Sequence, residues 1–496
     1  MKAVVLVVGL GLGLGATRAF AESHPHYGGS VDASLLGAPA SLDPVAARSH
    51  AELTVVGLVF DTLYAVELDG NAVPHLAYGA PAIDVKASTA RIPIHRGVRF
   101  HDGSELTPRD VAASLDRARV AAPWLLATVS AVRVDGEAVE LTLRAPTANL
   151  ATLLAQPQTA ITPGGKPPAA KPIGSGPFAV TQLDSAQHRL TLRAFDDHFS
   201  GRPYLDAIVL HWYDTPDGEA RAFEAGSAQL SARGVTAFAG GQPLYRAEDV
   251  PGPVGLLEYI GFSRARGAVA ADVAFRSALD LALSRTGLSA ITSGERVVPA
   301  RWPVPAEASP TPAIGGAANP DLAAARAQLA DAARRLPALA ADKLSALRLS
   351  IIVEDTRPDD RELAEHIVQA LDSLGISAAI TAVSAQVLRD RIAKGQADLW
   401  IGELAAPRMD AAAWWAAVFA AGGDDALVAQ EQAGTIDAAA AATAFTQHLP
   451  IVPLRFRAVR ISHRTDVRGV AFDGLGRVCF ADLFLFGSPV RSKAHP

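Results

Sequence analysis

Apolar and polar positions alternate along this chain with the period of a strand in some stretches and of a helix in others. Val139-Glu140-Leu141-Thr142-Leu143 has the two-residue alternation of a half-buried strand, and Leu347 to Val353 and Ile376 to Ala382 predict two further strands. Between those two, Leu363, Ile367 and Leu371 recur every four residues, Asp359 or Asp360 can cap the start, and Gly375 suits the stop. Strand, helix, strand in that order predicts a βαβ unit and a mixed α/β sheet. A second helix is punctuated by Thr107 at the N-cap, Pro108 at the first turn and Asp110 at the capping-box position, with Val111 and Leu115 on its apolar face. His101-Asp102-Gly103-Ser104 before it is a turn. The Ala-rich stretch after Pro320 predicts another helix. Two segments read as connections: residues 240–255, which carry Pro243, Pro251 and Pro253, and the Pro-, Ala- and Gly-rich residues 303–320, expected to form a surface loop.

Length changes the picture first. The chain has 496 residues, more than one hydrophobic core usually supports, so two large lobes are expected. Its composition, 49% hydrophobic and 19% charged, is that of a packed globular protein. A net charge of −6 argues against nucleic acid or an anionic membrane as partner, because phosphate binding needs a concentrated basic face.

The first residues carry an address. Met1-Lys2, the apolar stretch from Ala3 to Ala16 and the small-x-small site Ala19-Phe20-Ala21 predict a secretory signal peptide, residues 1–21, cut after Ala21. No later segment approaches roughly 18 uninterrupted apolar residues, so the protein is expected outside the cytoplasm and not inserted in the membrane. Cys479 is the single cysteine and lies far from the leader, which excludes an intrachain disulfide and a lipid-anchoring Cys there. A free, monomeric periplasmic protein is the expectation, with Cys479 as a small buried hydrophobe.

Several short motifs then occur in a definite order. They are Ser41-Leu42-Asp43-Pro44, residues 59–63, Asp69-Gly70, Pro74-His75-Leu76-Ala77, and the long run from Arg96 through Phe100-His101-Asp102-Gly103-Ser104 to Asp110-Val111. Pro172-Ile173-Gly174-Ser175-Gly176-Pro177-Phe178, residues 197–206, residues 272–285 and residues 398–402 follow. This series resembles the family 5 extracellular solute-binding proteins, the dipeptide, oligopeptide and nickel-binding group of ABC importers, over nearly the whole mature chain. The resemblance implies a two-lobed periplasmic-binding-protein fold of type II with a central ligand cleft. Lobe one would hold residues 28–251, including an inserted subdomain at about 60–170, lobe two residues 254–449, and residues 450–496 would return to lobe one. It also implies capture of a small ligand by lobe closure and delivery to the permease subunits of an ABC importer.

The cleft is where the match thins. Peptide-binding relatives follow the strand ending near Gly402 with a Trp and an Asp that receives the peptide ammonium. An ungapped reading places Glu403 at the Trp position and Ala406 at the Asp position. A buried ammonium without a partner costs several kcal/mol. Glu403 or Asp410 can replace the missing carboxylate after a shift of register, or Arg408 can face an anionic ligand, or the ligand is uncharged. Leu404, beside Glu403, belongs to the same candidate wall. From the resemblance, Ser49 and His50 approach the ligand, Trp124 and Trp302 border the cleft, and Trp414 follows the divergent segment. The ligand class is left as peptide or peptide-like, with a non-peptide open.

Other chemistries are weaker. HExxH, GxSxG, P-loop and paired-Cys patterns are missing, so neither catalysis nor a resident cofactor or metal is expected. His24 and His26 form a His-x-His in the tail without further ligands nearby in sequence. The alternative function is a sensor or interaction protein that kept the scaffold and lost transport.

Overall fold

The computed structural model describes residues 25–47, 49–122, 125–145, 147, 149–232, 247–265, 267–290, 297–306, 308, 319–355, 357, 359–405 and 411–486. The predicted signal peptide lies outside them. A long mixed sheet organises the chain. From one edge to the other its strands are Ser377–Val383, Arg348–Glu354, Leu399–Ala405, Ala247–Phe262, Val452–Arg464, Leu230–Ser231, Ser30–Leu36, Ala207–Tyr213, Arg189–Ala194 and Phe178–Asp184, and Val297–Pro299 adds to Val452–Arg464. Pairing is parallel at one edge, between Arg348–Glu354 and Ser377–Val383, and inside the other half, between Ser30–Leu36 and Ala207–Tyr213, while the second edge, Ala207–Tyr213, Arg189–Ala194 and Phe178–Asp184, is antiparallel. Pairing is also antiparallel where the two longest strands meet in the middle.

The expected βαβ unit is present as Arg348–Glu354, helix Asp360–Ser373 and Ser377–Val383, with Gly375 at φ +80° ending the helix. Leu363, Ile367 and Leu371 are fully buried against the sheet, as their spacing predicts. Helices Val273–Ala282 and Leu322–Ala333 complete that core. At the opposite end helix His50–Val59 packs on Ser30–Leu36 and its neighbours. A separate four-stranded antiparallel layer, built from Ala82–Asp84, Thr89–Pro93, Ala138–Leu143 and Val129–Asp135, is covered by helix Pro108–Ala121. That helix starts as its sequence dictates. The Asp110 carboxylate accepts from the Thr107 backbone N–H at 2.9 Å and hydroxyl at 2.5 Å, so the first turn is locked before packing begins.

Two of the glycine-bearing motifs are explained by their contact with each other. The His101 backbone N–H donates to the Gly174 carbonyl at 2.8 Å. The ring accepts from the Gly174 N–H at 3.2 Å and donates to the Gly176 carbonyl at 2.9 Å. Burial lowers the His101 pKa, consistent with this neutral tautomer. A Cβ on Gly174 would lie 2.0 Å from the Val59 carbonyl oxygen, and one on Gly176 2.6 Å from the Val59 carbonyl carbon, so both positions must be glycine.

The two predicted connections are corrected. Residues 247–255 belong to strand Ala247–Phe262, not to a linker. Its pairing slips between Pro251 and Val254 and again before Leu256, which is how a strand accommodates prolines that cannot donate to the ladder. The described start of residues 303–320 is not a surface loop, since Val304 and Ala308 are buried beside Trp302. Cys479 is half-buried, and burial pushes its thiol up to about 12, so it does not present a thiolate.

Candidate functional site

A cavity of about 390 Å³ lies between the two ends of the sheet. One wall comes from the Ser30–Leu36 side: Leu53 of helix His50–Val59, Leu125, the segment from Asn149 to Gln158, Leu475 and Arg477. The other comes from Tyr259 on one long strand, Glu403 and Leu404 at the end of Leu399–Ala405, and helices Ala411–Gly422 and Asp425–Gln432. Helix Ala411–Gly422 supplies six of the lining residues. Trp414, Trp415, Val418 and Phe419 are buried in the core behind it, while Ala412, Ala413, Ala416, Ala417, Ala420 and Ala421 face the cavity. Small residues on that face leave the volume open.

Two contacts join the two ends of the sheet near this region. The Arg389 guanidinium, on helix Ala385–Ala393, lies 3.4 Å from the Glu52 carboxylate of helix His50–Val59. The Gln432 side-chain oxygen accepts from the Ala127 backbone N–H at 3.1 Å.

The electrostatics of the wall are set from behind it. The Glu403 carboxylate meets Arg457 at 2.9 Å and Arg357 at 3.5 Å. Arg357 also pairs with Asp360 at 2.6 Å. Arg455, fully buried, binds the Glu258 carboxylate and lies 2.7 Å from Asp359. Arg457 reaches Glu258 at 3.7 Å, which joins these pairs into one network. Asp360 is pushed up to about 7 chiefly by burial, against the lowering pull of Arg357, with the Glu403 and Glu258 carboxylates adding to the rise. Asp359 stands at the N-cap position of helix Asp360–Ser373, as the sequence predicts, but makes no side-chain cap hydrogen bond; it pairs with Arg455 instead, and Asp360 lies against Arg357.

The predicted site residues separate. Glu403 and Leu404 line the cavity. Trp302 and Trp414 do not. They pack in an aromatic cluster, Trp302 against Trp415 at 5.2 Å and Trp414 against Phe456 at 5.7 Å, because burying large rings behind the alanine face stabilises more than exposing them to the cleft. Ser49 and His50 begin helix His50–Val59, where Ser49 exchanges capping hydrogen bonds with Glu52, and neither is part of the cavity wall. Leu53, one turn on, is part of it. Trp124, Arg408 and Asp410 lie outside the described residues. The alanine face, Asn149 to Gln158, Tyr259 and Gln432 were not anticipated. The pairwise alternation Ala412-Ala413-Trp414-Trp415-Ala416-Ala417-Val418-Phe419 is the one signal that marks a helix with a small face and a large face.

Comparison with known proteins places this geometry. Residues 71–426 match the family described as "Bacterial extracellular solute-binding proteins, family 5 Middle", and the chain belongs to that family. Among curated relatives, the uncharacterized protein YhjP of Bacillus subtilis is 34% identical over 208 residues, 40% of this chain and 34% of the relative. The glutathione-binding protein GsiB of Pectobacterium atrosepticum is 28% identical over 208 residues, 38% of this chain and 39% of the relative. These matches span little more than a third of the relatives' length. Among solved structures, the oligopeptide-binding protein AppA of Bacillus subtilis in complex with a nonapeptide has a TM-score of 0.72 at 18% identity, covering 93% of this chain and 100% of AppA. AgaA of A. tumefaciens R10 in complex with agropinic acid has a TM-score of 0.75 at 19% identity, covering 94% and 100%. The fold is therefore that of the periplasmic binding proteins. Among the described residues no helix is long and apolar enough to cross a membrane.

Proposed function

We propose that this chain is the periplasmic solute-binding component of an ABC importer, and that it holds a small solute in the cavity between two lobes. The observation that carries this reading is the cavity itself, walled from both ends of a sheet whose middle is two long paired strands. In this reading residues 28–251 with the C-terminal return form one lobe and residues 254–449 the other. The two long strands act as the hinge, and a solute touching both walls favours the closed state that the permease recognises.

The wall chemistry narrows the solute. Glu403 is held by two guanidiniums and so offers a bound ammonium little that Arg357 and Arg457 have not already taken. Leu53, Leu125, Leu153, Leu404 and the alanine face supply apolar area, while Asn149, Gln156, Gln158 and Gln432 add amide groups, of which the Gln156 and Gln158 nitrogens already donate to the Thr152 and Ala47 carbonyls and the Gln432 oxygen accepts from Ala127. A peptide-like solute with an apolar body and amide-type polar groups, uncharged or with its amine blocked, fits this wall better than a free peptide anchored by its ammonium.

The test is a thermal-shift and small-angle scattering panel with ligands of the relatives and neighbours: glutathione, the dipeptide Met-Leu, agropinic acid and Ni(L-His)₂, together with N-acetylated dipeptides. The reading predicts that N-acetylation of an apolar dipeptide strengthens binding and that binding reduces the radius of gyration. Tight binding of free dipeptides that acetylation abolishes would overturn the ligand class. Binding without compaction would overturn closure.

A further inference from the structure

Away from the cavity, three side chains from distant parts of the sequence converge on one point. Asp61 follows helix His50–Val59, His75 follows the short strand Ala72–Pro74, and His198 lies in the turn after strand Arg189–Ala194. One ligand-type atom from each, a ring nitrogen of each histidine and a carboxylate oxygen, lie within 4.8 Å of one another. The His75 Nε2 is 3.0 Å from Asp61 Oδ1, and the His198 Nε2 is 3.7 Å from Asp61 Oδ2. None of the three lines the cavity.

The hydrogen-bond inventory shows that something is needed at this point. The Gly201 carbonyl, 3.1 Å from His198 Nδ1, takes the proton on that nitrogen. In the neutral ring this leaves the Nε2 lone pair facing the Asp61 carboxylate, acceptor against acceptor. The His198 side chain is 6% exposed, and its Nε2 makes no hydrogen bond. Either a proton or a metal ion must sit between these atoms. A proton on Nε2 would make an imidazolium–carboxylate pair, whereas a metal ion would take the lone pair itself, and the 3.7 Å separation leaves room for the ion. A tetrahedral ion with bonds of about 2.0–2.1 Å holds its ligand atoms roughly 3.3 Å apart, so three ligand atoms within 4.8 Å of one another need only a small inward shift to hold it.

The surroundings are those of a metal site. The Ser175 hydroxyl donates to Asp61 Oδ2 at 2.8 Å and orients the carboxylate, as the Gly201 carbonyl orients His198. Phe199 packs against both imidazoles, with ring centroids 4.9 Å from His75 and 5.0 Å from His198, and makes the apolar shell. His75 is 27% exposed, so solvent reaches the His75 side of the cluster. We propose that Asp61, His75 and His198 form a binding site for a divalent ion of the zinc class, with water as the fourth ligand. Two imidazoles and one carboxylate suit Zn²⁺ and its borderline neighbours and disfavour Mg²⁺ and Ca²⁺, which take oxygen ligands. Bound metal would cross-link the segment after helix His50–Val59, the Ala72–Pro74 hairpin and the Arg189–Ala194 turn.

The test is calorimetric titration of the chelator-stripped full chain with ZnCl₂, in a background carrying His24→Ala and His26→Ala so that the tail does not contribute. Co²⁺ substitution reports ligand geometry by its visible spectrum. One equivalent of Zn²⁺ is expected, with affinity reduced by about 100-fold or more in His75→Ala and in His198→Ala. His448→Ala, at an exposed His–Asp pair, is expected to bind as the parent does. His75→Gln, at the more exposed ligand, repeats the measurement if an alanine variant does not fold. Absence of stoichiometric Zn²⁺ uptake by the parent, or uptake unchanged in folded His75 and His198 variants, would overturn the proposal and leave a proton in the site. Loss in His448→Ala would overturn it as well.

Discussion

Replacing Arg455 by Met tests whether the buried network behind the cavity holds the two long strands in place. Arg455 is fully buried, binds Glu258, which is 1% exposed, and donates to the Leu288 carbonyl at 3.1 Å and to Asp359 at 2.7 Å. At charge separations near 4 Å and an effective dielectric constant of 20, each carboxylate gains about 4 kcal/mol from the guanidinium, against a desolvation cost of several kcal/mol per ion. Met nearly refills the stem, so the cavity contribution is small. What remains is Glu258 buried with Arg457 at 3.7 Å as its nearest charge among the described residues, a loss of about 3–5 kcal/mol. Pairing the change with Glu258→Met removes the stranded charge, and the double variant should return to within about 2 kcal/mol of the parent. Urea unfolding of all four proteins, followed by circular dichroism and tryptophan fluorescence, gives the coupling energy. A cost below about 1 kcal/mol for Arg455→Met, or strict additivity in the double variant, would refute the reasoning.

Three further outcomes follow from the same coordinates. Ala417→Phe places a ring in the cavity from the alanine face and should abolish solute binding while leaving the unfolding midpoint within a few degrees of the parent, measured by calorimetry and thermal denaturation. Gly176→Ala drives a Cβ against the Val59 backbone and should cost about 2–3 kcal/mol in urea unfolding, far more than Gly79→Ala, where a Cβ meets nothing within 4 Å. Asp360 carries a folded-state pKa of about 7 against 3.8 for the free group. The stability it contributes is therefore present below about pH 4 and lost as pH rises through 7, by at most about 4 kcal/mol. Asp360→Asn should flatten stability between pH 4 and 8, and an unchanged slope would contradict the assignment.

What could be read from the sequence was whatever the chain encodes locally. Thr107, Pro108 and Asp110 announce a helix start because a cap is made by residues three apart, and the strand–helix–strand unit around Leu363 follows from periodicity alone. The two long strands could not be read, since Pro251 and Pro253 signal a break and only pairing with Val452–Arg464 overrides it. The charge network was equally hidden, with Glu258, Asp359, Glu403 and Arg455 coming from four separate elements. The cleft was half legible. Glu403 and Leu404 sit at a strand end that the motif order locates, but Trp302 and Trp414, chosen for the wall, are core residues, and much of the wall is alanine, whose use lies in what it leaves empty.

The most direct test of the central claim is native mass spectrometry of the chain after incubation with a small-molecule extract of its own host, run beside Ala417→Phe. The account predicts a solute retained at one per chain by the parent and missing from the variant, with both proteins folded. The same solute retained by both, or none retained by the parent, would contradict the assignment of the cavity as the binding site.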